Sequence, residues 1–488
     1  MIAVLVLGLV SPWQAAAVWT SVDGLYYLQV NRVCRDGLVA DIGATTAPGN
    51  YPIYVADGSA SSPAQQAFYT KAFPLPAAST GAVPEMKWPF EHVQTLGRRY
   101  KAVWAPARTP GSTVKVTVGQ SQIFTQAVVQ DCAVATPIDP FGVGYVWADD
   151  PSRASYKPSA YWSYNSKLLD NTVTRTAVGT YFVDFPGLAG TGGNAHVTAF
   201  GTASAICKIG GTRWYPYAGG MRLAVRCFAA NGTPADVRFT ASYAAGGGSA
   251  NTYAFAWADQ QATWGTYPAR AAYQYNNSGG TVMVTKLDVG YYSVAIPNLY
   301  GPRAAGSVKV TAVGDTPVSC QVESWGPAGA AEEVGVRCYT AAGQAADQQF
   351  TIAYMDGMNH VGNNLMADGY VWANQPSTAS YPPWPTYQRS TTITQSGEVS
   401  ITRSGTGVYD VFLPYQRIGY TGWTGSSWDG GNVHVTAYGT SAGRCQTGFW
   451  RNSAGQEPDG RYVRVYCFTA AGAATDRMFT MQYTAQLQ

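Results

Sequence analysis

Three stretches of this chain repeat one another, and each carries one pair of cysteines. They open alike, on Tyr145-Val146-Trp147-Ala148, Phe255-Ala256-Trp257-Ala258 and Tyr370-Val371-Trp372-Ala373. They also close alike. Counted from the second cysteine, an Asp stands at +9 (Asp236, Asp347, Asp476) and a Tyr at +16 (Tyr243, Tyr354, Tyr483). A repeat of this length means one supersecondary unit written three times, so a single local fold has to satisfy all three copies. The copies run over 145–243, 253–354 and 370–483. Glycine-rich 244–250 links the first two, and 355–369, with Gly and Asn, links the last two.

Inside each copy the hydrophobic period is two. Tyr181, Val183 and Phe185 alternate with other residues, as do Tyr292, Val294 and Ile296, then Tyr409, Val411 and Leu413. A second strand places Ala195, Val197 and Ala199 on one face, matched by Val308, Val310 and Ala312, then by Val433, Val435 and Ala437. Two more sets end on Cys227, Cys338 and Cys467 and on the closing tyrosines. Each set reads as a half-buried strand with one apolar face, and no segment carries a helical stripe. Six or seven such strands in about 100 residues predict a β-sandwich of immunoglobulin-like type. Residues 18–136 differ in sequence but share the grammar, with strands around 51–55, 101–104 and 113–118. The chain is therefore expected to be all-β, with four tandem disulfide-bonded sandwiches.

The eight cysteines stand at 34, 132, 207, 227, 320, 338, 445 and 467. Cys207/Cys227, Cys320/Cys338 and Cys445/Cys467 are pairs by repetition, separated by 20, 18 and 22 positions; Cys34 and Cys132 remain for the first segment. None has C-x-x-C spacing and no histidine cluster accompanies them, so disulfides are expected rather than zinc. Export fits this. Residues 2–10 form a short apolar run, and Ala15-Ala16-Ala17 follows, so 1–17 reads as a signal peptide and the mature chain as secreted. The run is too short for a bilayer-spanning helix, and no membrane span is expected after cleavage.

A resemblance agrees with this. The string Val399 to Val411, the string Gly431 to Gly439, and the later Cys-Phe-x-x-x-Gly-x-x-x-Asp-x-x-Phe-Thr-x-x-Tyr stretch resemble repeats of secreted bacterial proteins of unassigned function. The likeness covers about 145–483. It implies export and a β-rich repeat, and it brings no activity. The second copy departs from the pattern, with Lys309 where the others have His196 and His434.

Little in the chain points to catalysis. Gly439-Thr440-Ser441-Ala442-Gly443 has the spacing of a nucleophile elbow, but a cysteine strand follows where a helix is needed. Of the four histidines, His92, His196, His360 and His434, two share a strand position that also accepts Lys309, which predicts an exposed polar face. One isolated Asp per repeat is too few for a calcium cage and reads as a turn carboxylate bonding its own backbone. No metal and no cofactor are expected. A net charge of +3 over 488 residues, with 12% charged, gives no case for nucleic acid.

The aromatics are the candidate binding groups. Between Leu413 and Asn432 lie ten more positions than between Phe185 and Asn194, and that insertion holds Tyr420, Trp423 and Trp428. The loops between paired cysteines add Trp214, Trp325 and Trp450, and Trp384 stands between two prolines. An exposed ring beside Gly and Asn suits a sugar or a surface protein. The expected function is a non-enzymatic extracellular binding or adhesion module. The alternative is a self-associating structural spacer or envelope subunit; a hydrolase ranks third.

Overall fold

A computed structural model describes short strands between Val18 and Val128 as backbone. It also describes the chain from 142 to 485, apart from 160–161, 168, 189, 191, 247–251, 300–304, 358–366, 392–395, 417–429 and 454–459. The contacts divide the chain into two compact units, one over Met1–Thr136 and one over Pro137–Gln486. The three repeats thus hold together as one unit. The signal-peptide segment, Cys132, His92, His360, Tyr420, Trp423 and Trp428 lie outside the described residues.

In the first unit, Tyr26–Cys34, Gly37–Ala44 and Arg98–Val103 are central to a five-stranded sheet. Ile53–Asp57, Thr113–Val118 and Phe124–Val128 make a three-stranded one. The described parts of the strands expected from alternation, 53–55, 101–103 and 113–118, fall on these elements.

The second unit is all-β, and its described residues contain no α-helix. Alternation is realised in the walls of each core. In Thr180–Pro186, Tyr181, Val183 and Phe185 are buried while the residues between them are half-buried. The same holds for Val408–Pro414 up to Leu413. Each repeat's strands divide between two groups. In the first repeat, Ser163–Asn165, Val143–Ala148, Arg238–Ala244 and Asn194–Phe200 make four. Ser155–Tyr156, Thr172–Ala177, Thr180–Pro186, Gly220–Ala229 and Ala205–Tyr217 make five. Side chains of both groups meet in one core, with Val146, Val183, Val197, Leu223 and Ala241 in contact within it. Burial of such a cluster is the main favourable term for the repeat.

The groups do not stop at repeat boundaries. The five strands of the first repeat continue into the four of the second through a parallel bridge, Ile209 to Val313. The five of the third continue into the four of the first through Phe200 and Thr447. Val322 and Tyr438 make the matching bridge between the second and third. Each repeat lends one edge to the next and the third returns to the first, so the unit closes cyclically. Closure removes six of the sheet edges that would otherwise be open to pairing.

Each disulfide joins residues directly opposite on neighbouring antiparallel strands of one group: Cys207–Cys227, Cys320–Cys338 and Cys445–Cys467. The pairing expected from the repeat is the one formed.

Candidate functional site

Three features recur at equivalent places, and all three tie parts of the chain to one another. The first is a carboxylate latch. Asp236 accepts hydrogen bonds from Nε and Nη2 of Arg175 (2.9 and 2.8 Å), the Gly179 N–H (2.9 Å) and the Tyr181 hydroxyl (2.8 Å). Asp476 does the same with Arg403, Gly407 and Tyr409, and Asp347 with Lys286, Gly290 and Tyr292. The hairpin glycine has φ of +65, +64 or +67, and a Cβ there would collide with the carbonyl of the repeat's second cysteine. Glycine is the residue that tolerates both demands. The expectation that each Asp bonds its own turn is therefore corrected: its partners lie 55 to 73 positions earlier. Arg175 and the hydrogen bonds hold the Asp236 carboxyl down to about 2.

The second feature is an aromatic cluster at each seam between repeats. Trp257 packs edge-on against Trp214 and Tyr273, with centroids 5.9 and 5.1 Å away. Trp372 packs against Trp325 (5.3 Å), Tyr387 (5.0 Å) and Tyr438 (5.1 Å). Trp147 packs against Trp450 (5.7 Å), Trp162 (4.9 Å) and Phe200 (4.9 Å). The indole N–H of Trp214, Trp325 and Trp450 donates to the carbonyl of Gly192, Ala305 and Gly430 respectively. The candidate binding residues Trp214, Trp325 and Trp450 thus sit in strands, not loops, at 0%, 9% and 5% exposure. The expectation of open aromatic plates fails at these three. The physical reason is that a seam buries a ring together with a satisfied N–H, a larger gain than solvent exposure offers. Among the described residues, the widely exposed tryptophans are Trp264 (63%) and Trp384 (55%). Trp384 caps the second seam, 5.8 Å from Trp372.

A glutamine or lysine backs each seam. Gln446 Nε2 donates to the carbonyls of Gly201 (2.7 Å) and Ala203 (2.8 Å) in the first repeat. Gln321 does so to Gly439 and Ser441 of the third, and Lys208 Nζ to Thr316 of the second (2.9 Å). Ser441 is part of this contact: Arg477 donates to its hydroxyl (3.3 Å) and to its carbonyl.

The third feature lies where the three repeats meet. Asn194–Phe200, Ser307–Val313 and Asn432–Ala437 are buried on both faces, apart from Phe200. Their apolar residues face the cores and their polar residues face one another. Thr240 donates to the Val433 carbonyl (2.6 Å), Thr351 to Ala195 (2.8 Å) and Thr480 to Val308 (2.6 Å). His196, Lys309 and His434 converge here at 2%, 2% and 1% exposure. The expected exposed polar face is corrected: it is covered by the polar faces of the other two repeats. His434 shares hydrogen bonds with Thr198 (3.0 Å) and Ser242 (2.9 Å), and His196 with Thr311 (3.1 Å) and Asn194 (2.8 Å). Burial holds both imidazoles well below their ordinary value, and Lys309 adds to it. A small cavity of about 60 Å³ opens beside this axis, lined by Thr198, Thr311, Thr436, Cys207, Cys320 and Cys445 among others. It has room for a few waters.

Among the described residues there is no group of three or more metal-ligating side chains, and no helix is long and apolar enough to cross a membrane. Comparison with protein-family models, curated proteins and solved structures finds no match. What the fold and site define is a class: an all-β, disulfide-bonded protein of three cyclically closed repeats.

Proposed function

We propose that the protein is a secreted, non-enzymatic structural module. In this reading the immunoglobulin-like repeats are locked into one extracellular body that serves as a spacer or assembly subunit. The observation that carries it is the placement of Trp214, Trp325 and Trp450, whose rings and N–H groups are engaged inside the seams. The groups that chemistry would need are engaged likewise: Ser441 with Arg477, and the two described histidines with buried hydroxyls. Trp264, Leu287 and Val289 are exposed near one sheet edge and supply apolar surface for self-association. Light scattering of the purified protein over a wide concentration range tests this. Concentration-dependent assembly is expected, and a strictly monomeric particle counts against it.

One observation favours a second reading, recognition of a glycan or surface protein. Trp384, flanked by Pro383 and Pro385, holds a ring 55% exposed on a rigid aromatic base. Such a plate suits the apolar face of a sugar. Glycan-array binding that disappears in Trp384→Ala would place recognition above scaffolding.

A further inference from the structure

The axis where the repeats meet is assembled from groups that suit one protonation state. His196 Nε2 lies 2.8 Å from the Asn194 amide nitrogen, so it accepts, and Nδ1 must then carry the proton donated to Thr311 Oγ1. That hydroxyl also accepts the Val197 N–H and returns its own proton to the Val197 carbonyl, which uses all three of its hydrogen-bonding positions. A second proton on His196 would meet the Asn194 amide N–H head on, unless that amide turned over. His434 sits 6.0 Å from His196, ring centre to ring centre, and bonds hydroxyls of the first repeat through both nitrogens. Lys309 occupies the equivalent place in the second repeat.

We propose that His196, Lys309 and His434 make the closure of the three repeats acid-labile. Protonation of the imidazoles crowds like charges into a buried, hydroxyl-lined axis, and opening of the seams relieves it. This goes beyond the structural reading and holds equally for a glycan-binding body.

The groups facing the cluster come from six strands. The three axial strands contribute Asn194, Thr198, Thr311 and Thr436 besides the cluster itself. The three strands behind them contribute Thr240, Ser242, Thr351, Thr480 and Gln482. All are neutral. The other charged residues of these strands, Arg238 and Asp356, stand at strand ends; Arg238 donates to the Asp149 carbonyl and Asp356 accepts the Tyr370 hydroxyl. The charges that act on the imidazoles are the cluster's own. The sign follows. A folded-state value below the unfolded one means the unfolded chain binds more protons, so closure weakens as pH falls below about 6.5. The imidazole contribution is complete above that; burial also holds the Lys309 amine well below its ordinary value, and its part of the cost sets in at higher pH, outside the imidazole window.

The test follows the seam tryptophans by fluorescence, and particle size by small-angle scattering, between pH 8 and 4 in the full chain. A red shift with expansion is expected on the acid side of pH 6.5. In His196→Gln/His434→Gln the midpoint should move down by about one pH unit or more. Lys309→Met, which keeps both histidines, should also lower it and serves if the double variant does not fold. The latch carboxylates are held below their ordinary value by their cation and hydrogen-bond partners, so they do not overlap this window. An unchanged midpoint in the folded variants, or a wild-type protein that stays closed to pH 4, overturns the proposal.

Discussion

Trp372 of the third repeat meets Trp325 of the second edge to face, with 5.3 Å between ring centroids. Neither ring belongs to its own repeat's core alone. Trp325 is 9% exposed, and its N–H is held by the Ala305 carbonyl of its own repeat, so a contact within the second repeat orients it. The pair is a joint between the two repeats, and truncating either ring should be felt across the seam.

Trp325→Ala removes a large ring from a closed seam and leaves the Ala305 carbonyl with the Tyr354 hydroxyl as its remaining donor. The expected cost is about 3–5 kcal/mol, read from denaturant unfolding of the full chain. A loss below about 1 kcal/mol would mean that the seam repacks around the gap.

The latch predicts a titration. The Asp236 carboxyl should titrate at about 2, followed by carboxyl NMR. Its folded value lies below the unfolded one near 3.8. The latch's contribution is therefore complete above pH 4 and lost as pH falls toward 2. Asp236→Asn keeps the shape but not the charge, and the melting temperature at pH 7 should drop by a few degrees. A carboxyl titrating at its ordinary value would contradict the bidentate contact with Arg175.

Lys208 predicts a stabilising change. Burial pulls its amine down to about 7, opposed by Asp315. The equivalent residues, Gln321 and Gln446, are amides, and each reaches two carbonyls. Lys208→Gln should gain on the order of 1–2 kcal/mol at pH 7. The amine's folded value is lowered, so wild-type stability falls as pH drops from about 10.5 toward 7. The variant's advantage should therefore be largest near pH 7 and shrink by pH 10. An advantage independent of pH would trace it to packing instead.

Each disulfide closes a loop of about twenty residues, 22 positions for Cys445–Cys467. Removing that bridge as Cys445→Ala/Cys467→Ala should cost about 2–4 kcal/mol, measured by thermal unfolding under non-reducing conditions. The strands it joins, Gly443–Asn452 and Gly460–Thr469, also carry the third-to-first bridge at Thr447. Tryptophan emission should therefore report loosening at Trp147 and Trp450 first.

Much of the local structure was legible in the residues. Period-two alternation located Thr180–Pro186 and Val408–Pro414, and repetition located the cysteine pairs. The recurring Asp was visible as a feature, but its Arg and Gly partners were not. They stand 55 or more positions away, and nothing local marks them.

By itself, the sequence determined that this chain makes strands, that each repeat closes its own core, and which cysteines of the three repeats join. Those outcomes depend on alternation and spacing within about 100 residues. Only the tertiary structure decided what the polar faces meet. Alternation in Asn194–Phe200 states that two faces differ; it does not state whether the second meets water or another repeat. His196 bonds Thr311 across 115 positions, and Thr198 bonds His434 across 236. The same reason moved Trp214, Trp325 and Trp450 from surface plates to seams. A ring's exposure depends on the repeat docked against it, and that repeat is a separate stretch of the chain.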